Sequence, residues 1–197
     1  MRDVTGGEDT MRSVLCVVLC SALSISNLFA EPAVRPRDGG ARIRPQDTRS
    51  AQLLRDGMTR SDTFRALVER LEASNVFVYV SVSPLIKSGL AGQLNWMTQA
   101  GPYRYVRATI NAGLGTDLQI ATLGHELQHA VEVLDDELVV CEKSLEALYR
   151  RIGQPSRAAT SGWETLAAQE TGYRVRRELV VTVGVSMAAQ LFSFGHL

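Results

Sequence analysis

Histidine and cysteine are scarce in this chain, three of each in 197 residues, and neither charge is in excess, with 21 Lys and Arg against 21 Asp and Glu. Neutrality removes the electrostatic footprint of a nucleic-acid binder, and no basic stripe is interleaved with aromatics, so nucleic acid is not an expected partner. Long apolar runs are missing too. The N-terminal "SVLCVVLCSALSISNLFA" is short and serine-spotted for a membrane span. The uncharged last 19 residues are broken by Thr, Ser, Gln and Gly, and lack the basic residues that usually follow a C-terminal anchor. They read as a packed terminal helix, with no stable membrane insertion. There is no internal repeat and no low-complexity tract.

What is present at the N-terminus is a targeting pattern. Met11-Arg12 precedes the apolar run, which closes on Leu28-Phe29-Ala30. This describes a secretory signal peptide over residues 1–30, cut after Ala30, and export to a periplasm or the extracellular space. The acidic leader "MRDVTGGEDT" fits no signal, which makes Met11 an alternative start. No small residue precedes Cys16 or Cys20, against a lipoprotein. Cleavage leaves 197 − 30 = 167 residues with Cys141 as the one cysteine, so no intramolecular disulfide can form. A chain of that size buries a core without one. In the apolar "LVVCEKSL", Cys141 reads as an inert core thiol. "EPAVRPRDGGARIRPQD", residues 31–47, has three prolines and two glycines and reads as a flexible linker, with the domain spanning 48–197.

Within that domain "SDTFRALVERLEA" is an amphipathic helix, capped by Ser61 or Asp62, with Phe64, Leu67, Val68 and Leu71 on one face. "VFVYVSV" (76–82) and "YRYVRATIN" (103–111) alternate as strands. From Asp117 onward the period is helical. Helix, strands, then helices imply an α+β fold: a small antiparallel or mixed sheet packed on a central helix, with further C-terminal helices.

The central helix carries "ATLGHELQHAVEV" (121–133). Thr116 and Gln119 have capping-box spacing, which starts the helix there. At about 100° per residue, Ile120, Leu123, Leu127, Ala130, Val131 and Leu134 fall on one side, and His125 and His129 on nearly the other. The histidines therefore look away from the core stripe. Histidines at i and i+4 stand one above the other, about 6 Å apart, so both imidazoles can reach one Zn²⁺ at about 2.0–2.1 Å. Glu126 projects to the flank of that site, where it can take a proton from an activated water. Gly124 in the helix interior costs about 1 kcal/mol relative to Ala, and close packing against a neighbour is its expected use.

"HELQH" (125–129) matches the HExxH pattern, and from Tyr103 to about Val180 the chain resembles the zincin metallopeptidases. The resemblance implies a zinc cofactor, a peptide or protein substrate, and hydrolysis with Glu126 as general base. It also implies a strand before the histidine helix that binds extended substrate along its edge, a position where "YRYVRATIN" stands. The metzincin branch is excluded, because "HAVEVLDDELV" follows with no third histidine. The gluzincin branch takes its third ligand from a glutamate on a later helix. In "SGWETLAAQETGYRVRREL", Glu164 shares a narrow stripe with Ala168, Thr171 and Val175, whereas Glu170 points elsewhere with Arg174 at i+4. An Asp that the family often carries nearby is missing, and Ser161 could pair with Glu164 in a capping box. The expected metal ligands are His125, His129 and Glu164, with Glu170, Glu142 and Glu146 as alternatives. A carboxylate should hold a ring N–H of one histidine, with Glu132 one turn on as a candidate. Tyr149, Tyr173, Arg104 and His196 are open candidates for steadying an oxyanion. A metal-binding or interaction domain without turnover, and a metal-free secreted structural protein, are the other readings.

Overall fold

The computed structural model describes residues 41–86, 89–155 and 162–193, with side chains as far as 181. The expected signal peptide and His196 lie outside these residues. The elements run β1 (Ile43–Pro45), α1 (Thr48–Arg60), α2 (Asp62–Glu72), β2 (Val76–Ser83), β3 (Gly92–Ala100), β4 (Tyr103–Asn111), α3 (Thr116–Asp135), α4 (Glu142–Ile152), β5 (Gln154–Pro155), β6 (Trp163–Glu164) and α5 (Leu166–Ser193). Among the described residues the fold is α+β, with a small mixed sheet, a two-stranded β5–β6 pair and five helices.

The alternating valines of β2 form the middle of a four-stranded sheet ordered β1-β2-β4-β3. β1, β2 and β4 are parallel, and β3 runs antiparallel to β4. Pairing of Val78 with Val106 and Val80 with Ala108 keeps one face apolar across both strands. That face, fully buried, meets Phe64 and Leu71 of α2 and Ile120, Leu123 and Leu127 of α3. Each such side chain contributes about 1.5–3 kcal/mol by leaving water. α2 is capped as its sequence indicates, the Ser61 hydroxyl accepting from the Phe64 amide at 3.0 Å.

The linker boundary needs correction. Residues 41–47 belong to the domain: β1 pairs with β2, and the amides of Arg42 and Ile43 donate to the Glu72 carboxylate at 2.7 and 3.0 Å. Asp47 caps α1 in a capping box with Ser50, and its second oxygen accepts from the Val82 amide at 3.0 Å. A proline ending a parallel edge strand breaks no pairing, so the composition looked like a linker while the backbone was a strand.

The edge strand is a second correction. β4, expected at the edge, is interior, and β3 takes the edge beside it. "GQLNWMTQA" is too polar on both faces to show alternation. A two-residue connection, Gly101-Pro102, joins it to β4 with Gly101 at φ +56. This Gly-Pro turn between two runs was the available signal.

Cys141 is exposed and stands at the N-cap of α4 rather than in the core, because its neighbours Leu138 and Val140 are themselves exposed. The capping box expected at Thr116 and Gln119 does not form. Gly115 is the N-cap, and Gln119 instead accepts from Arg49 Nε at 2.9 Å and donates to the Asn111 carbonyl at 3.1 Å. Arg104 is buried at the other end of α3, donating to the carbonyls of Val133, Leu134 and Asp136. A cation there complements the helix C-terminus, which is its role in the fold.

α5 lies against α3 at close range. A Cβ on Gly124 would stand 2.9 Å from Val175 Cγ2, and one on Gly172 3.3 Å from His125 Cβ. Gly124 has the close-packing role expected of it. Among the described residues no helix is long and apolar enough to cross a membrane.

Candidate metal centre

α3 presents His125, Glu126 and His129 away from its apolar stripe, yet that face does not look into solvent as its sequence suggested. Glu126, His129 and Glu132 are all under 9% exposed. β3 crosses over Glu126 at Gly92, where an added Cβ would lie 2.6 Å from Glu126 Oε1. The Tyr149 ring of α4 stands edge-on to His129 at 5.2 Å. A helix buried on nearly every side sits at the centre of its domain.

The two imidazoles converge on Glu164. His125 Nε2 lies 2.9 Å and His129 Nε2 3.3 Å from the same oxygen, Glu164 Oε1. One donor atom from each of the three residues falls within 4.8 Å of the others. A tetrahedral ion with bonds of about 2.0–2.1 Å separates its ligand atoms by about 3.3 Å, so the spacing fits one cation. Glu164 reaches the site from β6, not from a helix as expected; β6 pairs with β5, and α5 begins two residues later. The alternative glutamates stand elsewhere. Glu170 is exposed, Glu142 and Glu146 are exposed on the cleft wall, and Glu146 pairs with Arg150 at 2.6 Å.

His129 Nδ1 lies 2.8 Å from Glu132 Oε2. Beside a carboxylate that nitrogen carries the hydrogen, and the lone pair of a neutral ring is then on Nε2, facing Glu164. Glu132 thus fills the role expected of it. Thr165 was not foreseen: its hydroxyl donates to Glu132 Oε1 at 2.5 Å and accepts from the Ala168 amide at 3.1 Å. A Thr three residues before the N3 amide of a helix is a cap signal, but nothing local links it to Glu132.

The titratable groups of the site shift one another's proton affinity. Burial opposes charge on His129, but hydrogen bonds to Glu132 and Glu164 and the field of Glu126 outweigh it and raise its pKa to about 10. Burial also disfavours ionised Glu164, yet its bonds to His125 and His129 hold it down at about 2. Burial raises the Glu126 carboxyl, against the two histidines, and raises the Tyr149 phenol well above its ordinary value. Three carboxylates stand around two imidazoles, and these shifts favour the protonated forms of His129 and Glu126. A divalent ion taking the place of those protons would leave the ring nitrogens as ligands. His125, His129 and Glu164 could therefore hold a metal ion.

The site opens on a cleft of about 690 Å³ lined by Gly92–Trp96 of β3, by Glu142, Leu145, Glu146 and Tyr149 of α4, and by Trp163. Of the oxyanion candidates among the described residues, Tyr149 alone lines it; Tyr173 is exposed on α5, and Arg104 is committed to the end of α3. Compared with known proteins, the chain matches no family model, no curated protein and no solved structure.

Proposed function

We propose that this chain is an exported zinc metallopeptidase of the gluzincin type, hydrolysing peptide bonds in a peptide or protein substrate. The observation that carries it is the convergence of His125 Nε2 and His129 Nε2 on Glu164 Oε1, with Glu126 beside them. Two imidazoles and one carboxylate are a donor set that suits zinc and leaves a coordination position open. An edge strand beside the histidine helix supports the zincin comparison, and the N-terminal sequence supports export.

Zinc, when bound, supplies a Lewis acid that polarises a carbonyl and lowers the pKa of water to about 7. His125, His129 and Glu164 would hold it, and Glu132, 2.8 Å from His129 Nδ1, would keep the other ring nitrogen turned toward it. Glu126 takes a proton from the attacking water and returns it to the leaving nitrogen. The edge of β3, outermost in the sheet among the described residues, aligns extended substrate, and Tyr149, whose hydroxyl donates to the His129 carbonyl at 3.5 Å, would redirect that hydrogen to steady the developing oxyanion.

Zinc at about one ion per chain should be found by mass spectrometry on tag-free protein. Glu126→Gln should keep that zinc and lose cleavage of a peptide library. Absence of any transition metal after zinc supplementation refutes the proposal. Equal cleavage by wild type and Glu126→Gln assigns hydrolysis to something other than this site. Burial of Glu126 beneath Gly92 favours a second reading, a metal-binding domain without turnover. Zinc uptake with no cleavage by wild type selects it.

A further inference from the structure

Glu164 and Thr165 are adjacent in sequence and enter the site by different routes. Glu164 faces the histidine Nε2 atoms, while Thr165 faces the carboxylate behind His129. The chain of contacts is Thr165 Oγ1 to Glu132 Oε1 at 2.5 Å, then Glu132 Oε2 to His129 Nδ1 at 2.8 Å. Thr165 is 3%, Glu132 8% and His129 5% exposed, so water does not compete along it.

The direction of each bond follows from hydrogen counting. The Thr165 hydroxyl has one hydrogen. The Ala168 amide can only donate, so it occupies an oxygen lone pair. The Thr165 hydrogen is thereby left for Glu132 Oε1. That bond sets the carboxylate plane, and Oε2 then accepts from His129 Nδ1 with the ring turned so that Nε2 faces Glu164 Oε1.

We propose that Thr165 is a positioning residue: acting through Glu132, it fixes the ring angle and tautomer of His129, so that one dipeptide just ahead of α5 delivers the third metal ligand and sets the second. This rests on the metal reading of the site. A Thr165 that served only as helix cap would matter to stability but not to metal affinity.

The test measures zinc affinity by chelator competition, and the visible spectrum with Co²⁺ as a geometric readout, on the full chain. Wild type, Thr165→Ser, Thr165→Val and Thr165→Ala are compared, with Asp47→Ala as a control that loses a cap on α1. Losing an outer partner of a ligating histidine costs about 10–100-fold in metal affinity. Thr165→Val should weaken zinc by that factor and alter the Co²⁺ spectrum. Thr165→Ser should bind within about threefold of wild type, because it keeps the hydroxyl. Asp47→Ala should lose thermal stability and keep its affinity. Thr165→Ala carries the same expectation as Thr165→Val and decides the matter if the valine variant does not fold. Wild-type affinity in either hydroxyl-free variant overturns the proposal and leaves the metal site standing. A wild type that takes up neither zinc nor cobalt overturns the metal site, and this proposal with it.

Discussion

Gly92→Ala puts the smallest possible side chain where β3 crosses the proposed general base. Its Cβ would stand 2.6 Å from Glu126 Oε1 and 2.7 Å from Thr122 Cγ2. Ordinary contact begins near 3.4 Å, so relief needs a shift of 3.4 − 2.6 = 0.8 Å, by the strand or by the carboxylate. Thr122, buried in α3, is overlapped as well, and moving Glu126 does not relieve that contact, so β3 must lift while the carboxylate turns aside from the attacking water. Misplacing a reacting group by about 1 Å costs about 100-fold, or about 2.7 kcal/mol in the barrier. Gly92→Ala should therefore lower kcat/KM on a cleavable peptide about 100-fold, mostly through kcat. Zinc content should stay at the wild-type value, because no ligand is touched. The assay is a peptide-library screen followed by kinetics on one substrate, with metal measured on the same preparation. A variant with wild-type kcat refutes the argument, since the strand would then have to ride higher above Glu126 than the 2.6 Å contact implies.

Glu164→Ala should weaken zinc by more than the roughly 10–100-fold that loss of an outer partner costs, and Glu170→Ala should leave it unchanged; chelator competition on both decides between them. Gly124→Ala trades about 1 kcal/mol of helix propensity against an overlap with the buried Val175 that costs about 1–3 kcal/mol. A net loss of about 1 kcal/mol, read as a Tm lower by about 2–4 °C, is expected, and a stabilised variant contradicts the close crossing of α3 and α5. Glu178 opposes its own burial with hydrogen bonds from Ser61 Oγ, Thr63 Oγ1 and the Thr63 amide, which hold its carboxyl below the ordinary value. Its folded pKa is below its unfolded one, so its contribution is complete above the unfolded value and is lost as pH falls through the folded one. Glu178→Gln should be about 1 kcal/mol less stable than wild type at pH 7, with the gap closing below pH about 4; a gap independent of pH refutes the assignment.

Local signals were readable where one segment contains both partners of a contact. Ser61 and the 3.6-residue period of α2 specify a cap and a face without help from elsewhere. The i, i+4 spacing of His125 and His129 likewise puts two rings on one face whatever surrounds them. β1 and β3 were not readable for the opposite reason. β1 is made a strand by parallel pairing to Val78–Val80, and β3 by pairing to β4 while showing polar residues to both sides. The helical stripe in the sequence points to Glu164, yet the residue reaches the histidines from a short strand, held by antiparallel pairing with Gln154. The burial of the histidine face is the least local feature of all. An apolar stripe says where a helix packs, and a polar face is solvated unless something distant satisfies it. Burying His129 and Glu132 without partners would cost several kcal/mol each, so this part of the face can be closed only if further partners arrive with the elements that cover it. They arrive 33 residues on from Glu132, as Thr165, and 39 on from His125, as Glu164. No stretch of α3 encodes that: Thr165 holds the carboxylate behind His129, and Glu164, one residue before it, joins both histidines in the group that could hold a metal ion.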